Sequence, residues 1–141
     1  MKGNQRLGLT AELAALIRAE NKFDIYSKFF ITSRALMLYR FFKKIIPKNK
    51  LDSIFNKRLN LSYEIKKVLE DYNPDQVIEL ASGSSVLSLE FLTKRPNSRF
   101  IESDLEETIE IKEKIVKKLS NEKLIKLNKN LIFLPLDVIS D

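Results

Sequence analysis

Residues 76–92, QVIELASGSSVLSLEFL, decide the fold because their hydrophobic pattern changes period at a run of small residues. The short apolar run at 76–80 is typical of a buried strand. The residues Ala-Ser-Gly-Ser-Ser interrupt it, and the apolar residues that follow recur at helical spacing. The pattern predicts a strand, a tight turn and a helix over 84–94 that Pro96 ends. Such a turn either holds a ligand or is only a corner between two buried elements.

The same alternation continues to the end of the chain. Residues 98–104, SRFIESD, read as a second strand, and residues 131–138, LIFLPLDV, as a third. Between them, residues 105–124 form an amphipathic helix with acids early and lysines late, as the helix dipole favours. The order β-α-β-α-β implies parallel strands joined by right-handed crossovers, which is half of a doubly wound sheet. Pro135 cannot donate to a ladder, so we expect it at a strand end or a bulge.

The chain before Asn73-Pro74-Asp75, a turn signal, reads as helical. Apolar residues at helical spacing predict helices over 10–21, 24–46 and 51–72. Pro47 stops the second, and Ser62 offers an alternative start within the third. We therefore predict an α/β protein. Residues 1–70 would form a helical lead-in or cap, and residues 71–141 the first half of a Rossmann-like domain with three strands.

The composition excludes several classes of site. The chain has no Cys and no His, which excludes disulfides, the usual zinc ligand sets, and Cys or His nucleophiles and bases. No secretory signal is visible at the N-terminus, and the longest apolar runs are far shorter than a membrane span. We expect a cytoplasmic protein with no membrane partner.

The net charge of +6 is concentrated in the N-terminal half. Residues 1–70 carry 15 basic and 6 acidic residues, whereas residues 71–141 carry 10 and 13. Such asymmetry can mean contact with nucleic acid, a membrane surface or an anionic ligand, or only solvated lysines. We favour solvated lysines, because those at 43–50 surround a proline and do not follow one helical stripe. A nucleic-acid partner ranks lowest, since the aromatic residues of this half read as core.

An acid follows or ends each predicted strand: Glu79, Asp104 and Asp137. In open α/β sheets, ligands bind beyond the carboxyl ends of the strands. The small residues after Glu79 would let a ligand approach the backbone N–H groups that open the next helix. Asp104 lies 21 residues after Gly83, close to the interval at which a carboxylate meets the ribose hydroxyls of a nucleotide.

Each member of this set also has a plain structural interpretation. Gly83 can serve a tight turn, Ser84 or Ser85 can cap a helix, and Asp104 can cap the helix that follows it. Glu79 is harder to explain in this way, because a carboxylate is seldom buried in a strand without a partner. The combination of residues is more informative than any single one.

The sequence of the turn limits the kinds of nucleotide ligand that the site could bind. A single glycine does not match the G-x-G-x-x-G dinucleotide fingerprint, and no P-loop motif is present. The stretch ELASGSS is instead similar to the first motif of S-adenosylmethionine-dependent methyltransferases, an acid followed by Gly-x-Gly-x-Gly. Gly83 stands at the middle glycine position, and Ala81 and Ser85 at the outer ones.

The resemblance extends to a particular group of these enzymes. QVIELASGSSVLSLEFL together with RFIESDLEETIEIKEKIV resembles the leucine carboxyl methyltransferases and polyketide O-methyltransferases. In that group the strand-turn-helix is followed by an acid-Asp-Leu strand end and a helix containing a lysine. The stretch TAELAALIRAENKFDIYSKFF also resembles their helical lead-in. We expect the chain to correspond to the N-terminal portion of such a protein.

The resemblance implies a place for each part of the cofactor's methionine moiety. Glu79 would lie beside it, and the backbone of Ala81, Ser82 and Gly83 would pass close to it. Arg58, in NKRLNLSYEI, would pair with the carboxylate of the cofactor.

The nucleoside moiety is assigned to the other two strand ends in the same way. Asp104 would accept hydrogen bonds from the ribose hydroxyls, and Leu105 would pack near the adenine. Asp137 and Val138 would lie along the edge of the adenine.

The implied reaction is transfer of a methyl group to a carboxylate or hydroxyl oxygen of a small molecule or protein. No residue is assigned a catalytic role, because in this class the acceptor pocket is largely built by segments after the third strand. No metal is expected. The alternative is a non-catalytic methyltransferase-like remnant that acts as a binding or interaction module. Its supports are the two replaced glycines and the open sheet edge, which self-association or a C-terminal half would cover.

Overall fold

The computed structural model describes residues 7–137, which fall into two compact units. One unit spans Glu12–Asn73, and the other joins residues 7–11 to residues 74–137. The helices of the N-terminal part are α1 (Leu9–Glu20), a short 3₁₀ helix (Ser27–Phe30), α2 (Ser33–Ile45) and α3 (Lys48–Tyr72). The C-terminal part contains β1 (Gln76–Leu80), α4 (Leu87–Lys94), β2 (Arg99–Asp104), α5 (Glu106–Asn121) and β3 (Leu131–Pro135). The protein is thus α/β, with helices followed by a sheet, as the sequence predicts.

The predicted helix over 24–46 is wrong in its first part. The Asp24 carboxylate accepts hydrogen bonds from the backbone N–H groups of Tyr26 and Ser27 at 2.8 and 2.5 Å, and this holds a turn that leads into the short 3₁₀ helix instead of an α-helix. Thr32 is extended, and its side chain caps the first turn of α2. Local side-chain acceptors therefore override the apolar spacing of this segment.

The third helix is longer than predicted and has no break. It begins at Lys48, directly after Pro47, whose fixed φ suits the start of a helix. The Ser62 hydroxyl donates to the carbonyl of Arg58 at 3.1 Å, so it bonds within α3 and caps no new helix. The helix ends at Tyr72, and the C-cap residue Asn73 adopts a left-handed conformation with φ of +48°.

The sheet has three parallel strands in the order β1-β2-β3. Phe100 and Glu102 lie two residues apart on β2, so their side chains share one face of the sheet. On that face the Phe91 ring of α4 packs against the Phe100 ring, with the ring centroids 5.7 Å apart. Side chains of α4 and α5 both reach Glu102, so both helices cover that same face. Pro135 is the last residue of β3, which confirms the end position that its missing N–H requires.

The opposite face of the sheet is apolar and exposed. Its alternate positions on the two outer strands are between 40% and 59% accessible; they are Ile78, Leu80, Ile132 and Leu134. Across the described part of the chain, no helix is both long and apolar enough to cross a membrane.

Candidate functional site

The three strands bring their carboxyl ends to one edge of the sheet. The register places Leu80 beside Ser103 and Asp104 beside Pro135. The loop of residues 81–85 leaves β1 at this edge, and the N–H of Ser82 donates to the carbonyl of Ser103 at 3.0 Å. The sequence-based expectation that the small-residue turn and the end of β2 lie together therefore holds.

Asp104 is bonded to the loop itself. Its Oδ2 accepts from the N–H of Gly83, and its Oδ1 accepts from the N–H of Leu105, both at 2.8 Å. The half-buried carboxylate thus holds the loop against the end of β2 and fixes the start of α5. The sequence indicates a helix cap or a ribose contact for this residue, but the bond to Gly83 was not foreseen.

The loop contains two residues with left-handed backbone. Ala81 has φ of +52° and Gly83 has φ of +47°. Ala81 stands at the first glycine position of the motif that the loop resembles, and here it adopts a conformation that glycine takes without strain. A Cβ on Gly83 would lie 3.3 Å from the Cβ of Ala11, so the loop also packs closely against the start of α1.

The three serines of the loop have different partners. The Ser84 hydroxyl donates to the carbonyl of Ala11 at 2.5 Å, and the Ser85 hydroxyl accepts from the N–H of Leu87 at 3.3 Å. Ser85 therefore bonds to the first residue of α4, but the N-cap position is Val86, which makes no side-chain capping bond. The Ser82 hydroxyl is buried and makes no hydrogen bond with any residue from 7 to 137. A buried hydroxyl in this state is an available donor and acceptor.

A buried ion pair lies on the helix-covered face of the sheet. The Lys112 ammonium on α5 contacts Glu102 Oε2, and the Ser88 hydroxyl on α4 donates to Glu102 Oε1. All three side chains are within 1% of complete burial. Glu79, half-buried on β1, is the register partner of Glu102 and shares its face.

Sequence reasoning assigned no role to Glu102 or Lys112, although both lie in the motif IESDLEETIEIK. The sequence does carry a signal for Glu102. It lies two residues after the apolar Phe100, so the period of a strand places both side chains on the same face of β2. An acid on the covered face of a strand requires a partner, and Lys112 supplies it.

Four other residues belong to the site that the sequence predicts. Leu105 is 52% exposed beside Asp104 and presents an apolar side chain at this edge. Asp137 is exposed just after β3, whose end is drawn to β2 by a 2.9 Å bond from the N–H of Leu136 to the carbonyl of Asp104. Arg58 is exposed on α3 and belongs to the other compact unit, so its pairing with a ligand stays a prediction. Val138 lies outside the described residues.

The site offers backbone N–H groups, hydroxyls and carboxylates. Among residues 7–137, no group of three or more acidic side chains is arranged to hold a metal ion. Comparison of the chain with protein-family models, with curated proteins and with solved structures found no match. A function for this chain therefore has to be inferred from its own residues.

Proposed function

We propose that this chain is part of an S-adenosylmethionine-dependent methyltransferase, in which the sheet is the first half of a doubly wound Rossmann-like domain. The reaction would be methyl transfer to a carboxylate or hydroxyl oxygen of a small molecule or protein. The observation that supports this most is the bond between Asp104 and the N–H of Gly83. Since the acid and the glycine loop are in contact, a ligand bound along the loop lies within reach of the carboxylate.

The donor set fits an adenosyl ligand in three respects. The buried Ser82 hydroxyl has no hydrogen-bond partner among the described residues. Leu105 offers an exposed apolar surface of the kind that packs against a purine. Each oxygen of Asp104 accepts one backbone bond and keeps a second lone pair for a ribose hydroxyl.

When bound, S-adenosylmethionine supplies an electrophilic methyl group on a positively charged sulfur. The residues of this chain would hold and orient it. Asp104 would fix the ribose and the loop together, and the loop backbone would fix the methionine moiety. Catalysis would then rest on proximity and orientation. A carboxylate acceptor needs no general base, whereas a hydroxyl acceptor does, and no described residue is assigned that role.

The test is a titration of the chain with S-adenosylhomocysteine, in which calorimetry measures the heat of binding and ¹H–¹⁵N spectra record the backbone amides. The chain has 3 glycines, so the Gly83 amide is simple to assign. We expect it to shift on titration, and we expect Asp104→Asn to weaken binding by about tenfold, the effect of one lost charge-assisted hydrogen bond. Asp71→Asn, an exposed acid at the end of α3, should leave the affinity unchanged.

A second candidate is a non-catalytic module that keeps the fold and has lost the ligand. It is favoured by the use of both Asp104 oxygens within the protein and by the strained Ala81 where the motif has glycine. Absence of both heat and amide shifts in the unaltered chain would overturn the cofactor proposal and favour this one.

A further inference from the structure

The helix α2 carries an outer face that combines large apolar and cationic side chains. Between residues 25 and 51 the sequence has seven basic residues and no acid. Ala35 and Tyr39 are buried on the inner side of α2. On the outer side of the helix there is an open pocket of about 410 Å³. We define the α2 outer face as the residues that line this pocket: Ser33, Leu36, Met37, Arg40, Phe41 and Lys44.

The apolar members of the α2 outer face are unusually exposed. Met37 is 66% accessible and Phe41 is 55% accessible, and the two lie four residues apart, on the same side of the helix. Ile45, four residues further on, is 61% accessible. Three large apolar side chains in one row along a helix form an exposed apolar patch of the kind found at protein or membrane interaction sites.

The cations of this face are not neutralised within the protein. Arg40 and Lys44 make no ion pair with any residue from 7 to 137. Lys43, on the flank of the helix, differs: it pairs with Glu20 at 3.9 Å and lies over the Tyr39 ring at 4.5 Å from the centroid. Contact with Tyr39, and to a smaller extent with Glu20, raises the pKa of Lys43 above its ordinary value.

We propose that the α2 outer face binds the surface of an anionic lipid bilayer. Met37 and Phe41, continued by Ile45, would enter the boundary between headgroups and acyl chains. Arg40 and Lys44 would extend along that apolar surface and place their charges at the phosphates. The absence of acids over this segment matches the negative potential of such a membrane.

The geometry favours a lipid surface over other polyanions. Phe41 is the one aromatic residue of this face, whereas Leu36, Met37 and the neighbouring Ile45 offer no ring for base stacking. Nucleic-acid sites stack successive bases on several aromatic side chains. The 13 residues of α2 are too few to cross a bilayer, so the helix would lie in the interface. This departs from the sequence-based expectation of no membrane partner, in which the basic residues of this half are favoured as solvated lysines over contact with a membrane surface.

The test is co-sedimentation of the full chain with vesicles of phosphatidylcholine alone or mixed with phosphatidylserine. We expect binding to the mixed vesicles only, weakened by salt. Arg40→Gln with Lys44→Gln should reduce binding roughly 30-fold, the effect of two cations near a charged surface. Met37→Ser with Phe41→Ser should reduce it about tenfold or more, because the apolar anchor is lost.

A matched control removes the same charge elsewhere. Lys114→Gln with Lys117→Gln alters exposed α5 cations that pair with acids one turn away, and it should leave vesicle binding unchanged. Circular dichroism would establish that each variant is folded. All four altered α2 positions are exposed, so we expect native spectra.

Three results would overturn the proposal. The first is equal binding to neutral and anionic vesicles, or none to either. The second is unchanged vesicle binding in the Met37→Ser, Phe41→Ser variant. The third is that the α2 substitutions abolish binding of a model RNA or break a dimer seen by light scattering, while vesicle binding is unaffected. That last result would assign the face to nucleic acid or to a second copy.

Discussion

Ala81 adopts a backbone conformation, with φ of +52°, that costs an L-residue about 1–2 kcal/mol. Ala81→Gly removes this cost but adds about 0.5–1 kcal/mol of chain entropy in the unfolded state. We therefore expect a gain in the free energy of unfolding of up to about 1 kcal/mol. Ala81→Val should lose about 1 kcal/mol or more, since a β-branched residue tolerates this region least. Urea denaturation measures both, and equal stability of the three proteins would contradict the left-handed loop.

Gly83 is constrained by conformation and by space. Its φ of +47° and the 3.3 Å distance from an added Cβ to that of Ala11 both oppose a side chain. Gly83→Ala should lower the free energy of unfolding by about 1–3 kcal/mol. Gly8→Ala is the matched control, because a Cβ there meets nothing within 4 Å, and we expect a change below about 0.5 kcal/mol. If the two variants lose the same stability, close packing of the loop on α1 is wrong.

At the scale of elements, the buried pair of Lys112 and Glu102 joins α5 to β2, and Ser88 of α4 completes it. Lys112→Met leaves a buried carboxylate without its cation, which should cost about 3–5 kcal/mol. The double variant Lys112→Met, Glu102→Leu removes both charges and should recover most of that loss. Thermal and urea denaturation of the single and double variants measure the coupling between the two side chains.

The control for that pair is Lys114→Met, an exposed lysine one turn from Glu110, with an expected change below about 0.5 kcal/mol. If the double variant is as unstable as Lys112→Met alone, the pair stabilises the packing of α5 through more than its charges. Additive losses would show that the two side chains do not interact.

The elements also show what the sequence can predict. Short apolar runs between turn signals located β1 and β2 to within a residue. They did not indicate that alternate residues of β1 are exposed, so the expectation of a buried strand at 76–80 is wrong. Apolar periodicity failed at residues 24–32, where Asp24 accepts from the N–H groups of Tyr26 and Ser27, and Thr32 caps the separate start of α2. Spacing along the chain indicated that Asp104 and Gly83 share one edge of the sheet. The spacing could not indicate that Lys112 is buried. Its contact with Glu102 forms only when α4 and α5 pack on the same strand.

At the scale of the whole molecule, the sheet is covered on one side and open on the other. The covered face holds Phe100, which is fully buried against Phe91. Phe100→Ala should therefore cost about 3–5 kcal/mol of unfolding free energy. Ile78 and Ile132 lie on the open face, 56% and 40% exposed. Replacing either with Thr keeps strand propensity and should cost below about 1 kcal/mol.

The open face also makes a prediction about concentration. If the chain is monomeric with that face in water, the urea midpoints of the unaltered chain and of Ile132→Thr do not depend on protein concentration. If instead a second copy covers the face, the unaltered chain gains stability with concentration, because association favours the folded state. Ile132→Thr would then lose several times more stability at high concentration than at low. Sedimentation equilibrium on both proteins decides between these outcomes.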